Sequence, residues 1–225
     1  MTTRQDLRSL IRRRLGDLLA PVGFSDMQIN QWVVDSIAEY SKHFPRTLTT
    51  TISTTADDRK YDLPEDYIGA LSVEYPTGED PPAYLLHREY THANFWQVDG
   101  YYSVVKRDDG TDVDELWMSK KPGAGETITM MYHGNHDYLD ADADVCTVPD
   151  NHIELLVLFV RWLANQEIAS TEAREPDPTS LNINTMELNT FRAERAYRNR
   201  LKEYRLAAGK SVQVRWAMDK HDSVY

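Results

Sequence analysis

Cysteine is almost missing from this chain: Cys146 stands alone. That excludes an internal disulfide and any zinc site built on several cysteines, and it fits a reducing compartment. Long apolar runs are missing too. No stretch approaches the roughly 18 apolar residues that span a bilayer, and the opening MTTRQDLRSLIRRRLGD carries charge where a secretory signal would need its apolar centre. The chain therefore reads as soluble, with no membrane partner. Internal repeats are lacking, and ten glycines with ten prolines are ordinary usage, which leaves no collagen-like or low-complexity segment.

Familiar catalytic patterns are equally scarce. Gly123-Ala124-Gly125 lacks the lysine and hydroxyl that complete a phosphate loop, so it reads as a hairpin turn. Cys146 has His152 six residues on, but a lone cysteine near a proline reads as a small buried apolar group rather than a nucleophile. Asp62, Glu65 and Asp66 follow or flank Pro64, and nothing nearby orients them as paired carboxylates; acidic residues after proline are common in turns. The strongest metal candidate is HGNHDYLDADAD, in which His133, His136 and Asp137 could offer ligands and Asp140, Asp142 and Asp144 could add hard oxygens. Gly134 and Asn135 make that segment a strand end and turn, so the ligands share no fixed direction. A solvated acidic loop is the better reading. No catalytic residue, cofactor or metal ligand is assigned, and the chain is not read as an enzyme.

What is present is a segregated charge. The chain of 225 residues carries a net charge of −11. Residues 1–20 and 191–225 together hold fourteen Lys/Arg against six Asp/Glu, whereas 21–190 hold eleven against thirty. Basic ends on an acidic middle suggest contacts with something negative, or with the chain's own acidic part.

Apolar spacing organises the rest. Leu7, Leu10, Ile11, Leu15, Leu18 and Leu19 recur at helical intervals, with Arg8, Arg12, Arg13 and Arg14 mostly off that face. Ser25 and Gln28 form a capping-box pattern before a second amphipathic segment through Phe44, stopped by Pro45. From Arg46 the period changes to two. A threonine-rich hairpin is expected from TLTTTIST and KYDL, followed by GALSVEY, YYSVV, ELWMS and TITMMYH, some five or six strands in all. Asp150 then caps a nearly all-apolar helix in which Leu155, Leu156, Phe159, Trp162 and Leu163 should be buried. A basic helix around Thr185 to Ala207 follows, ended by Gly209. The expected fold is α+β. A four-helix core (residues 1–45 and 149–208) would carry a mostly antiparallel β domain (46–148) between its second and third helices, with an extended C-terminal arm (209–225).

The order of motifs resembles the head-to-tail adaptor, or connector, proteins of tailed bacteriophages. The residues that carry the likeness are AEYSKHFP, then YDLPEDYIGALSVEY, then LWMSKKPGAGETITMMYHG, then VPDNHIELLVLFVRWLA. The resemblance implies a virion structural protein of the neck, made in the host cytoplasm. It implies a ring below the portal protein, twelvefold by analogy, that extends the DNA channel, passes DNA without specific binding and docks tail, stopper or terminator proteins. Acidic walls suit that role, since a basic wall would hold phosphate through counterion release.

Two other readings compete. Arg195, Arg198 and Arg205 on the basic helix could contact phosphate in a nucleic-acid-handling protein, or pair with acidic partners instead. A metal-dependent hydrolase built on the histidine and aspartate loop is the third. Within the adaptor reading, the tail is the expected grip on the portal or a neighbouring subunit. Val212, Val214, Trp216 and Met218 alternate with polar residues there, Arg215 and Lys220 offer charge, and Tyr225 closes the chain. Trp216 is the anchor type enriched at interfaces.

Overall fold

The computed structural model describes residues 2–16, 23–106, 114–172 and 180–219. By contact the chain forms two units, Met1–His43 with Asp137–Tyr225, and Phe44–His136.

The first unit is helical. Helix α1 (Arg4–Leu15) starts at a capping box, in which the Thr3 hydroxyl accepts from the Asp6 N–H and the Asp6 carboxylate accepts from the Thr3 N–H. It stops where Gly16 takes the left-handed conformation at φ 79°, which glycine adopts without steric cost. Helix α2 (Asp26–His43) begins with the expected box, Gln28 N–H to Ser25 Oγ at 3.2 Å and Ser25 N–H to Gln28 Oε1 at 2.9 Å. The third helix does not begin at an Asp150 cap. A 3₁₀ turn (Asp150–His152) comes first, closed by His152 N–H to the Pro149 carbonyl at 2.7 Å, and α3 runs Ile153–Glu172.

Helix α3 is the centre of this unit: α1, α2 and α4 (Ser180–Asp219) all pack on it. Leu155, Leu156, Val157, Val160 and Ala164 are buried there, as are Leu7 and Ile11 of α1, Ile29, Val33 and Ile37 of α2, and Ala193 and Tyr197 of α4. Phe159, Trp162 and Leu163 are only partly buried, contrary to expectation. Two of them join Tyr197 in a half-open aromatic group, Phe159 edge-on with ring centroids 5.2 Å apart and Trp162 stacked at 6.3 Å.

The C-terminal arm is a further correction. Helix α4 passes through Gly209 to Asp219, where a stop and then an extended segment were expected. One glycine inside a helix costs about 1 kcal/mol, and the flanking Leu206, Ala207, Ala208 and Lys210 favour continuation. Residues 220–225 lie outside the described residues.

The second unit is a mixed, curled sheet of seven strands, more than the five or six expected: β1 (Arg46–Ser53), β2 (Lys60–Asp62), β3 (Tyr67–Glu74), β4 (Tyr84–His87), β5 (Tyr101–Val105), β6 (Glu115–Met118) and β7 (Thr127–Gly134), in the order β1-β7-β3-β4-β5-β6-β2. Among the described residues, β4 and β5 alone pair in parallel. The threonine-rich hairpin does not form. β1 pairs with β7 over eight residues and β2 pairs with β6, at opposite ends of the strand order. Both ends nevertheless share one core, with Tyr61, Leu63 and Leu116 in the same cluster as Val73, Ile128, Met130 and Tyr132.

Candidate assembly surfaces

Leu63-Pro64, where strand sequence breaks off and resumes, is the passage from one side of the curled sheet to the other. Leu63 is buried and its N–H donates to the Asp114 carbonyl at 2.9 Å beside β6; three residues past Pro64, Tyr67 N–H closes a turn onto the Pro64 carbonyl at 3.0 Å and opens β3 beside β7. Asp66 braces this corner. Its carbonyl accepts from Asn135 N–H at 2.9 Å and its carboxylate accepts from the Tyr132 hydroxyl at 3.1 Å. Burial, and then this bond, push the Tyr132 phenol above its usual pKa. A Cβ on Gly134 would stand 2.8 Å from both Asp66 Oδ2 and Leu48 Cδ1, so a larger residue here would have to displace both side-chain ends. The carboxylate at the corner is a structural acceptor.

The glycine turn is built the same way. Gly125 has φ 75°, and Glu126 folds back to accept from Gly123 N–H at 2.9 Å and from the Tyr75 hydroxyl. Thr54 ties the turn to the end of β1, donating from its hydroxyl to the Gly123 carbonyl at 2.7 Å and from its N–H to the Glu126 carbonyl at 2.9 Å. Burial and the Glu126 carboxylate raise the Tyr75 phenol to about 12, while the Tyr75 bond holds Glu126 below the usual carboxylate range.

The histidine and aspartate segment latches the N-terminal helix to the loop that leads into α3. Arg4 Nη2 and Arg8 Nη2 each lie 2.8 Å from Asp142, one on each carboxylate oxygen. These two arginines hold the Asp142 carboxyl down at about 2. Asp144 closes the loop on itself, accepting from the N–H groups of Asp140 at 2.8 Å and Ala141 at 2.7 Å. His136 Nε2 lies 3.0 Å from the Phe44 carbonyl, and among the described residues no group of three His, Cys, Asp or Glu is placed to hold a metal. Arg12 lies on the same helical stripe and pairs with Asp26 at 2.5 Å. Sequence reasoning missed this latch, although Arg4, Arg8 and Arg12 at intervals of four were a signal for it.

Cys146 and His152 do not form a nucleophilic pair. The thiol is buried and pushed up by desolvation, which makes it inert. His152 Nδ1 instead meets the Tyr40 hydroxyl at 2.5 Å, and its ring packs 4.3 Å from that of Tyr204.

The basic helix splits into two faces. Inward, Arg200 pairs with Glu154 of α3 at 2.8 Å and with Glu203 at 2.7 Å. Outward, Arg195, Arg198 and Arg205 are exposed, with Arg198 pairing along the helix to Glu194 at 2.6 Å. Val212, Val214, Arg215, Trp216 and Met218 fall on the C-terminal stretch of α4; Lys220 and Tyr225 lie outside the described residues.

Among the described residues the conspicuous features are braced turns and an exposed, charged helix face. The model of the SU10 adaptor protein family matches residues 2–217. The chain belongs to the SU10 adaptor family. As a phage adaptor it is a structural component of the virion neck, where adaptors interact with portal and tail proteins. Among the described residues the match takes in α1 to α3, every strand and α4 up to residue 217, so the resemblance first carried by the Leu63-Pro64 corner, the Gly125-Glu126 turn and Val148-Pro149-Asp150 extends to α4 as well. No curated protein matches this adaptor.

Proposed function

We propose that this adaptor assembles as a ring below the portal, extends the channel through which DNA leaves the head, and offers its far side to tail, stopper or terminator proteins. The observation that carries the reading is the family match over residues 2–217. The roles of the recognisable motifs agree with it, since each braces a turn and none poises a reactive group.

The sheet unit acts as an inserted domain of the ring subunit. Residues 44–136 hold sixteen Asp/Glu against eight Lys/Arg, and a surface of that sign lining a channel repels phosphate and lets DNA slide. The end of α4 and the residues after it, with Trp216 as the anchor, grip the portal. Insertion of a helix end into a crevice replaces the strand-like mode that the alternation of Val212, Val214, Trp216 and Met218 suggested.

A nucleic-acid-handling role is weaker, because Arg200 is turned inward onto Glu154 of α3 and the chain carries a net charge of −11. Electron microscopy of the purified protein, alone and mixed with its portal, tests the proposal: rings coaxial with the portal support it, and a monomer that ignores the portal refutes it.

A further inference from the structure

The outer stripe of α4 runs Leu188, Phe191, Arg195, Arg198, Lys202 and Arg205, at steps of three and four that keep all six on one face. Leu188 is 47% exposed and Phe191 58%, so the N-terminal half of the stripe is apolar and open while the C-terminal half is cationic. α4 packs on α3 through its opposite face, where Ala193 and Tyr197 are buried.

The same unit carries a groove of the complementary kind. Met27, Val34 and Leu139 supply its apolar lining, Asn30, Gln31 and Asp140 its polar one, around about 400 Å³. Met27 is 82% exposed on the first turn of α2. Arg4 also borders the groove, but its charge is met by Asp142. Asp35, one turn along α2 from Gln31, adds a second exposed carboxylate.

We infer that the groove between α2 and the 137–140 loop receives the outer face of α4 from a second copy of this chain. Phe191 and Leu188 of one copy cover Met27 and Val34 of the next, and Arg195 and Arg198 approach Asp140 and Asp35. This rests on the ring reading above and names the contact that would build it. Two different faces are used, so the interface is heterologous, and a heterologous interface propagates head to tail until its rotation closes a ring. A two-fold dimer through α4 would instead place Arg195 and Arg198 near their own copies, which like charge disfavours. The basic side of the contact is α4 rather than α1, whose Arg4, Arg8 and Arg12 are paired within the chain to Asp142 and Asp26.

Cysteine cross-linking tests the geometry, since the native Cys146 is buried and the wild type serves as the unreactive control. Met27→Cys and Phe191→Cys both alter exposed positions. With a short bismaleimide, alone and on the portal, a mixture of the two single variants should yield a cross-linked dimer that neither yields by itself. The double variant should yield a ladder. Arg195→Glu with Arg198→Glu should weaken assembly about tenfold or more, and Asp140→Arg should restore part of it. Dimers from Phe191→Cys alone, or intact oligomers by sedimentation that do not cross-link, overturn this interface and leave the ring standing. A protein that sediments as a monomer with and without portal overturns the ring reading and this contact together.

Discussion

Arg8 grips Asp142 with both guanidinium nitrogens, Nη1 to Oδ1 at 2.9 Å and Nη2 to Oδ2 at 2.8 Å. Across 134 residues of sequence this fork joins α1 to the loop that leads into α3, and Arg4 joins the same carboxylate. The bidentate form fixes direction as well as distance, so α1 is docked by charge on one side and by Leu7 and Ile11 on the other.

Asp142→Asn should therefore loosen α1 specifically. Hydrogen exchange should speed up across residues 4–15 and stay unchanged in β1 to β7; an equal change in both units would contradict the assignment.

The pair also fixes a pH dependence. Asp142 is held at about 2 in the fold, against about 3.9 for an unfolded aspartate. A depressed carboxylate stabilises the fold above its unfolded value, and that contribution disappears as pH falls from about 4 toward 2. Denaturant unfolding of wild type and Asp142→Asn should converge over that window. Curves that stay parallel down to pH 2 would show that the fork contributes nothing.

Gly134→Ala should destabilise the sheet unit by roughly 1–3 kcal/mol, the usual range for overpacking, because the new methyl would collide with Asp66 and Leu48. Asp66→Ala in the same chain should recover part of the loss by clearing one collision. Urea midpoints of the wild type and the two variants decide this, and a neutral Gly134→Ala would show that both side-chain ends yield without cost.

Leu156→Ala, at the buried centre of α3, should cost about 2–5 kcal/mol, whereas Arg161→Ala on the exposed side of the same helix should stay within about 0.5 kcal/mol. Similar losses from both would deny α3 its central place.

Local signals in the sequence were enough for the helices and for much of the sheet. Ser25 and Gln28 announced α2 because a capping box is chemistry within four residues, and the apolar run of α3 announced the burial of Leu155 and Leu156 but not the partial exposure of Phe159, Trp162 and Leu163. Strand pairing is a different matter. TLTTTIS has the same alternation whether its partner is nearby KYD or distant TITMMYHG, and longer, better register with β7 decides. The tail failed for a related reason. Val212 to Met218 alternates like a strand, yet nothing in it breaks a helix already running from Ser180. The latch needed residues 134 and 138 apart to meet, which no window of sequence reveals. The outward stripe of α4 was legible only in part, since Arg195, Arg198 and Arg205 stood out as charge while the exposure of Leu188 and Phe191 required the fold.

Removing residues 211–225 should leave both units folded and abolish docking to the portal, with Trp216→Ala weakening it in the same direction. Pull-down on purified portal with circular dichroism as the folding control separates the two effects; docking that survives truncation places the grip elsewhere.

The central claim is that this adaptor works as a ring joined to the portal. Electron microscopy of the purified protein mixed with its portal, at low and at high salt, tests it most directly. The account predicts coaxial rings whose subunits repeat head to tail and whose assembly weakens as salt screens α4 from its acidic partners. A strict two-fold dimer, insensitive to salt and absent from the portal, would contradict it.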